Sequence, residues 1–178
     1  LPSSIYGLSK IFLYNACMYY INKGLPIIYV RQFNAIGPYQ RDKFVLAAFT
    51  KQLVLIENNQ IDPTISVGNL NCQRDFIDGR DAAAAYRLLF ERGEVGEVYN
   101  ISTGRSIVIG ELLDRLLKKI KYEGTVRINR NNKDKISKNE LGDILVSDAT
   151  KLNNLGFKRK YTLDQTIEDT LNFWRNNV

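Results

Sequence analysis

The segment from residue 4 to residue 33 constrains the fold more than any other part of the sequence. Apolar and aromatic residues recur near the 3.6-residue period from Ser4 to Asn22, which predicts a helix, and Gly24 is placed to end it in a left-handed conformation. Residues 26–33 then form a continuous apolar run, PIIYVRQF, typical of a buried parallel strand. A helix followed directly by such a strand is half of a crossover unit, so we expect an α/β protein.

The rest of the sequence continues this alternation. A loop is predicted at Gly37 and Pro38, and Thr162 with Gln165 forms a capping-box pattern. Further helices are predicted at 44–58, 81–92, 106–121, 148–155 and 162–175. Further short strands are predicted at 64–68, 74–77, 97–101, 125–128 and 144–146. The helix from residue 81 has Asp81 near its start, where a negative charge favours the helix dipole.

Composition and charge narrow the classes of function. The chain has 178 residues, 44% hydrophobic and 25% charged, which is enough for a core. Its net charge of +6 is scattered, which argues against a nucleic-acid-binding arm and suits an enzyme with diphosphate-bearing substrate and cofactor. No apolar run is long enough to span a membrane, and Cys17 and Cys72 lack metal-ligand or disulfide spacing, so we expect no membrane partner and a cytoplasmic location. Because histidine is absent, this segment excludes His-dependent triads and His-ligated metals, and no metal site is predicted.

Tyr6 and Lys10 are the candidate catalytic pair. Their spacing of four places both side chains on one face of a helix. A phenol is a poor acid or base at neutral pH, but a neighbouring ammonium favours the phenolate and makes proton exchange at a sugar hydroxyl or carbonyl feasible. The same lysine can hold a ribose hydroxyl of a nicotinamide cofactor. The bare spacing is weak evidence, because Tyr-x-x-x-Lys occurs by chance in many helices.

Several further motifs give this pair a context. In order, they are Tyr6-Gly7-Leu8-Ser9-Lys10, 29–34 (YVRQFN), 66–70 (SVGNL), 74–78 (RDFID), Arg80-Asp81 and 96–101 (GEVYNI). Together they resemble the extended short-chain dehydrogenase/reductase family, the NAD-dependent epimerases and dehydratases, over nearly the whole chain. Residues 33–38 (FNAIGP), Gln40 and the VGNL run look most like the GDP-6-deoxy-D-mannose reductases, with the GDP-mannose 4,6-dehydratases next.

The resemblance implies roles for particular residues. Tyr6 would be the catalytic acid/base and Lys10 its electrostatic partner, and both would contact the cofactor, NAD or NADP. Gln32 and Phe33 would line the nicotinamide pocket, with Gln32 standing where relatives usually have proline. Asn34 would bind the diphosphate or sugar of the substrate; the alternative is a turn residue that ends the strand.

The remaining implied substrate contacts are Arg74, Phe44, Val45 and Lys138. Arg74 would grip the diphosphate or ribose with its forked guanidinium, the alternative being a surface ion pair with Asp75 or Asp78. Phe44 and Val45 would lie beside the nucleobase pocket or simply belong to the core. Relatives have a late Arg-Pro motif that grips the diphosphate, and this sequence has no clear match to it. Lys138 is the nearest cation, and a solvated loop lysine is its favoured interpretation.

The implied architecture is the C-terminal part of a Rossmann-type doubly wound parallel sheet plus a small α/β substrate-binding domain. Residues 1–35 would supply the active-site helix and following strand, and 36–178 mainly the substrate-binding region, with Rossmann elements returning near 74–101. The chain contains no glycine-rich phosphate loop, which lies upstream in this family together with the catalytic Ser or Thr. We therefore expect a fragment that needs the N-terminal half of the Rossmann domain, and the resemblance implies a homodimer through the helix of Tyr6.

The implied activity is reduction of the C4 ketone of GDP-4-dehydro-6-deoxy-D-mannose by NAD(P)H, with a nucleotide-diphosphate sugar as the substrate partner. A 4,6-dehydratase or a 4-epimerase of the same family is an alternative. A domain that binds a nucleotide sugar with an inert Tyr-Lys pair is the alternative of another class.

Overall fold

The structure, a computed structural model, describes residues 2, 4–130 and 144–178. Its helices are α1 (Ile5–Ile21), α2 (Val45–Glu57), α3 (Gly79–Arg92), α4 (Ile109–Leu117), α5 (Thr150–Asn154) and α6 (Leu163–Arg175). Its strands are β1 (Tyr29–Gln32), β2 (Asn34–Ile36), β3 (Thr64–Ser66), β4 (Gln73–Asp78), β5 (Val98–Ile101), β6 (Ser106–Val108), β7 (Arg127–Asn129) and β8 (Ile144–Leu145). None of the helices within these ranges is long and apolar enough to cross a membrane.

The predicted helix–glycine–strand unit is formed, but its strand is not buried as predicted, since Arg31 and Gln32 are exposed and the other two residues of β1 are only partly buried. Ser4 caps α1, because its Oγ accepts a hydrogen bond of 3.1 Å from the backbone N–H of Gly7. Gly24 has a φ of +90°, the left-handed conformation that glycine adopts without strain. The chain then enters β1, which pairs in parallel with β5, with Tyr29 opposite Val98.

The chain changes sheets within two residues of the end of β1. Phe33 still donates its backbone N–H to the carbonyl of Ile101, over 2.9 Å, beside β5. Asn34 already belongs to β2, which pairs in parallel with β4 and places Asn34 opposite Phe76. Opposite β2, the first residues of β4 pair antiparallel with β6, and along their other edge Gln73 and Arg74 pair in parallel with β8. Strands β3 and β7 form a separate parallel pair.

Two buried hydrophobic clusters lie on either side of β4. Phe76 packs into the first cluster and its neighbour Ile77 into the second, because successive side chains of a strand point to opposite faces. The first cluster is formed mainly by α2, α4 and α6, with Leu46, Leu53, Leu112, Leu116 and Leu171 among its members. The second joins α3, β5 and α5, with Ala85, Leu89, Tyr99, Ile101 and Leu152 among its members. The division at residue 35 into Rossmann and substrate-binding regions stays a prediction.

The helix predicted at 106–121 is wrong at both ends. Residues 106–108 form β6, in which Ile107 lies opposite Arg74, and α4 covers only Ile109–Leu117. The apolar spacing fits a helix, but β-branched Ile107 and Val108 gain a strand partner in β4 that local sequence cannot show. The other predicted elements are present, most of them with shorter bounds, although β4 and α3 are longer than predicted and β7 is shifted toward the C-terminus. The capping box of Thr162 and Gln165 is formed at α6.

Candidate active site

Tyr6 and Lys10 lie together on the first turns of α1. The Nζ atom of Lys10 lies 5.0 Å from the centroid of the Tyr6 ring, so the cation faces the phenol as the four-residue spacing predicts. Ser9 also donates its hydroxyl to the carbonyl of Tyr6 over 2.7 Å. With Tyr6 71% exposed, its hydroxyl is accessible to a reacting molecule.

Contacts between α1 and the first sheet set the direction of the helix. The side chain of Ile21 lies against Gly96, just before β5 begins. Further back along α1, Tyr14 meets Tyr29 edge-to-face, with centroids 5.2 Å apart, and the guanidinium of Arg31 lies over the Tyr14 ring. Since α1 runs antiparallel to β1, its N-terminal turns point toward the carboxyl end of β1, where parallel sheets hold their ligands.

Gln32, Phe33 and Asn34 occupy that carboxyl end. Gln32 is exposed and is the last residue of β1. The backbone N–H of Phe33 donates a hydrogen bond to the carbonyl of Ile101 on β5. The side-chain amide of Asn34 donates to the carbonyl of Asp75 over 3.1 Å. The interpretation of Asn34 as a turn residue is wrong, because Asn34 begins β2 and ties it to β4.

Arg74 lies on β4, next to β6 and β8, and its Nη1 donates to the carbonyl of Gln73 over 2.7 Å. The carboxylates of Asp75 and Asp78, the alternative surface partners of Arg74, have other roles. Asp75 is fully buried and accepts from the amides of Thr103 and Gly104. Asp78 instead binds Arg80 through both carboxylate oxygens, at 2.9 and 2.8 Å. The diphosphate role of Arg74 stays a prediction.

The two residues predicted beside the nucleobase differ in environment. Phe44 is the N-cap of α2 and is 47% exposed, with the Nζ of Lys43 5.3 Å from its ring centroid. Val45 is partly buried and packs against the first hydrophobic cluster, which fits the core interpretation. Lys138 lies outside the described residues.

Sequence reasoning missed a set of acidic residues that holds these elements together. The sequence predicts Asp81 only as a favourable charge near a helix start. In the structure it is 1% exposed, and its carboxylate accepts hydrogen bonds from the backbone N–H groups of Lys160 and Tyr161. Burial by itself would raise the pKa of Asp78, but hydrogen bonds from Arg80 and Thr166 outweigh it and hold that pKa below its usual value. The available signal was a pair of acidic residues, at 75 and 78, inside an otherwise buried strand.

The structure is an α/β chain with parallel strand pairs and an exposed Tyr6 beside Lys10, as the sequence motifs predict. The sequence profile of the GDP-mannose 4,6 dehydratase family matches residues 1–170, and the chain belongs to this family. It is 29% identical over 178 residues to the GDP-6-deoxy-D-mannose reductase of Pseudomonas aeruginosa, covering 99% of this chain and 58% of the relative. It is 26% identical over 153 residues to the dTDP-D-glucose 4,6-dehydratase of Mus musculus, covering 85% of this chain and 42% of the relative.

Solved structures give the same picture. The RMD of Pseudomonas aeruginosa complexed with NADPH matches with a TM-score of 0.89 and 27% identity, covering 100% of this chain and 58% of that one. A putative epimerase from Burkholderia cenocepacia matches with a TM-score of 0.82 and 28% identity, covering 99% and 55%. The chain therefore spans little more than half the length of these proteins, and the Rossmann-type α/β class is confirmed.

Proposed function

We propose that the protein carrying this chain is a nucleotide-sugar oxidoreductase that reduces the C4 ketone of GDP-4-dehydro-6-deoxy-D-mannose with NAD(P)H. The observation that carries the proposal is the exposed Tyr6 with the Lys10 ammonium over its ring, on a helix directed toward Gln32, Phe33 and Asn34. The 29% identity to a GDP-6-deoxy-D-mannose reductase supports the choice of substrate.

Tyr6 supplies the proton in this proposal. As the C4 carbonyl is reduced, negative charge develops on its oxygen, and the Tyr6 hydroxyl donates a proton to that oxygen. Lys10 stabilises the phenolate that remains, because the ammonium and the ring are already in contact.

The residues of this chain also fit a nicotinamide cofactor. Lys10 is an exposed donor suited to a ribose hydroxyl, and Gln32 and Phe33 lie at the carboxyl end of a parallel strand, where such ligands bind. When bound, NAD(P)H supplies the hydride. The chain's own residues hold the ribose and the proton.

Substrate binding is assigned to Asn34 and Arg74, which lie on the paired strands β2 and β4. The guanidinium of Arg74 suits the oxygens of a diphosphate, and the half-exposed ring of Phe44 can cover a nucleobase. Binding energy from the nucleotide then positions the distant sugar at Tyr6.

A homodimer, together with the remainder of a Rossmann domain, is part of the proposal. No residue of α1 is buried among the described residues, although several of its side chains are large and apolar. The exposed ones include Ile5, Leu8, Phe12, Tyr19 and Tyr20. An exposed apolar surface of this kind is typical of a protein–protein contact.

A 4,6-dehydratase is the second candidate, favoured by the family description and by the dTDP-D-glucose 4,6-dehydratase relatives. A reductase consumes one NAD(P)H for each ketone that disappears. A dehydratase eliminates water from GDP-mannose and leaves the cofactor unchanged at the end of the cycle. Absorbance of NAD(P)H together with chromatography of the sugar products separates the two activities.

The test of the catalytic assignment is Tyr6→Phe in the full-length protein. Loss of proton transfer should lower turnover by roughly 10²–10⁴-fold, while GDP affinity changes little because the phenol contacts no diphosphate. Tyr20→Phe, on the same helix and 52% exposed, is the matched control and should keep its turnover. Near-normal turnover in Tyr6→Phe would exclude Tyr6 as the acid, and a wild-type protein that binds GDP but turns over neither substrate would favour the inert alternative.

A further inference from the structure

A cavity of about 780 Å³ lies between the loop after β5, helix α4 and the segment that leads into α6. Five cationic residues line it: Arg105, Arg115, Lys158, Arg159 and Lys160. The predicted catalytic and substrate residues Tyr6, Lys10, Asn34 and Arg74 are not among the lining residues. The cavity therefore has a chemical character that the proposed reaction does not use.

The positive charge of this cavity is only partly neutralised. Its two acidic lining residues, Glu111 and Asp164, both bind Arg115, at 2.7 and 3.2 Å. Within residues 4–130 and 144–178, no carboxylate pairs with any of the other four cations. Such a concentration of unpaired positive charge in a concave site attracts anions.

Buried carboxylates fix the backbone on two sides of the cavity. On one side, Asp75 accepts the amides of Thr103 and Gly104, directly before Arg105. On the other side, Asp81 accepts the amides of Lys160 and Tyr161. The cations thus extend from loops that are already ordered, which lowers the entropy cost of binding a ligand.

Other lining residues suit a ligand larger than a simple ion. Phe76, Phe157 and Tyr161 contribute aromatic surface. Ser102 also lines the cavity, and its buried Oγ has no hydrogen-bond partner in the described part of the chain. After a rotation of its side chain, this hydroxyl can donate to an oxyanion that reaches the wall, which removes the cost of an unsatisfied buried group.

We propose that this cavity is a second anion site that binds a phosphorylated small molecule, with a diphosphate held between Arg105 on one loop and Lys158 on the other. The volume lies in the range of small-molecule sites, and the aromatic wall favours a ligand with a ring, such as a nucleoside diphosphate. The cationic side chains of the cavity recognise the phosphate oxygens of the ligand.

The experiment is calorimetric titration of the full-length protein with inorganic pyrophosphate at physiological ionic strength. The wild type should bind two equivalents, one at the proposed substrate site and one in the cavity. Arg105→Gln combined with Lys158→Gln should weaken one of these events by at least about tenfold, the scale of losing a hydrogen bond to a charged group. Arg74→Ala should keep that event and weaken the other.

Matched variants make the result decisive. Lys23→Gln removes an exposed lysine at the end of α1 and should leave both events unchanged. Lys160→Gln removes another cation of the cavity and tests the cavity event independently. A melting curve of each variant checks that the variant is folded. GDP that binds the cavity more tightly than pyrophosphate in the Arg74→Ala background identifies a nucleotide occupant, whereas equal affinities identify the diphosphate alone. A double variant that titrates like the wild type overturns the proposal, independently of the Tyr6 result.

Discussion

Replacing Asp78 with asparagine should be among the most damaging single changes of a polar residue in this chain. The side chain of Asp78 is only 2% exposed. It accepts from the backbone N–H and the Nε and Nη2 atoms of Arg80, at 2.8, 2.9 and 2.8 Å, and from the Thr166 hydroxyl at 2.7 Å. An asparagine keeps one acceptor oxygen, but its NH₂ group faces a guanidinium N–H in either orientation, because Oδ1 accepts from Nε and Oδ2 from Nη2 of Arg80.

The magnitude follows from the surroundings of the pair. Removing one partner of a fully buried ion pair costs about 3–5 kcal/mol. Arg80 is 42% exposed and also binds Asp169, so water and the second carboxylate soften the loss. We therefore expect Asp78→Asn to lower the free energy of unfolding by about 2–4 kcal/mol.

Urea denaturation of the full-length protein is the assay, with Asp169→Asn as the matched control. Asp169 binds the same guanidinium at 2.7 Å from a side chain that is 41% exposed, so its loss should cost only about 0–1 kcal/mol. If Asp169→Asn proved as destabilising as Asp78→Asn, burial would not be the deciding factor and the reasoning would be refuted.

The difference in stability between the wild type and Asp78→Asn should also depend on pH. The pKa of Asp78 lies below its usual value in the folded protein, so its stabilisation is fully present above the unfolded pKa of about 3.9 and is lost as the pH falls through the folded value. The stability difference between the wild type and Asp78→Asn should therefore be constant near neutral pH and shrink below about pH 4. A difference that grows on acidification would contradict the lowered pKa.

Two further predictions concern the substrate site and a helix end. Arg74→Ala should weaken GDP binding by about 1.5–3 kcal/mol with little change in melting temperature, which calorimetry and a thermal melt would check; unchanged GDP affinity would leave Arg74 as scaffold and make Lys138 the next cation to test. Thr162→Ala should lower the free energy of unfolding by about 0.5–2 kcal/mol in urea, because the Thr162 hydroxyl caps α6 at the Gln165 amide over 3.2 Å. Thr162→Ser retains the hydroxyl and should recover most of the lost stability. A loss caused by side-chain packing alone would not be recovered by serine.

Local sequence was sufficient wherever a short stretch contains its own signal. The left-handed Gly24 and the Thr162–Gln165 capping box each depend on residues within a few positions, and both are formed. The Tyr6–Lys10 contact belongs to the same group, since helical spacing alone brings the two side chains together.

Local sequence was insufficient where a distant strand decides the outcome. Residues 106–108 form a strand because β4 lies beside them, and Asn34 starts a second sheet because its partner is Phe76. The role of Asp81 depends on the amides of Lys160 and Tyr161, about 80 residues away in the chain, so a helix-dipole argument could not find it.

The pairing of β1 with β5 has a consequence for how this protein is made. Tyr29 lies opposite Val98, so β1 leaves the ribosome about 70 residues before its partner strand. At roughly 5–20 residues per second, the apolar run at 27–30 waits about 3–14 s with an unpaired edge. Closing such a long loop is also slow, because the chain loses conformational entropy before the stabilising contacts between the strands can form. The end of β1 assigned to the nicotinamide is therefore among the last parts to form, and synthesis that slows between residues 33 and 98 should increase aggregation of nascent chains.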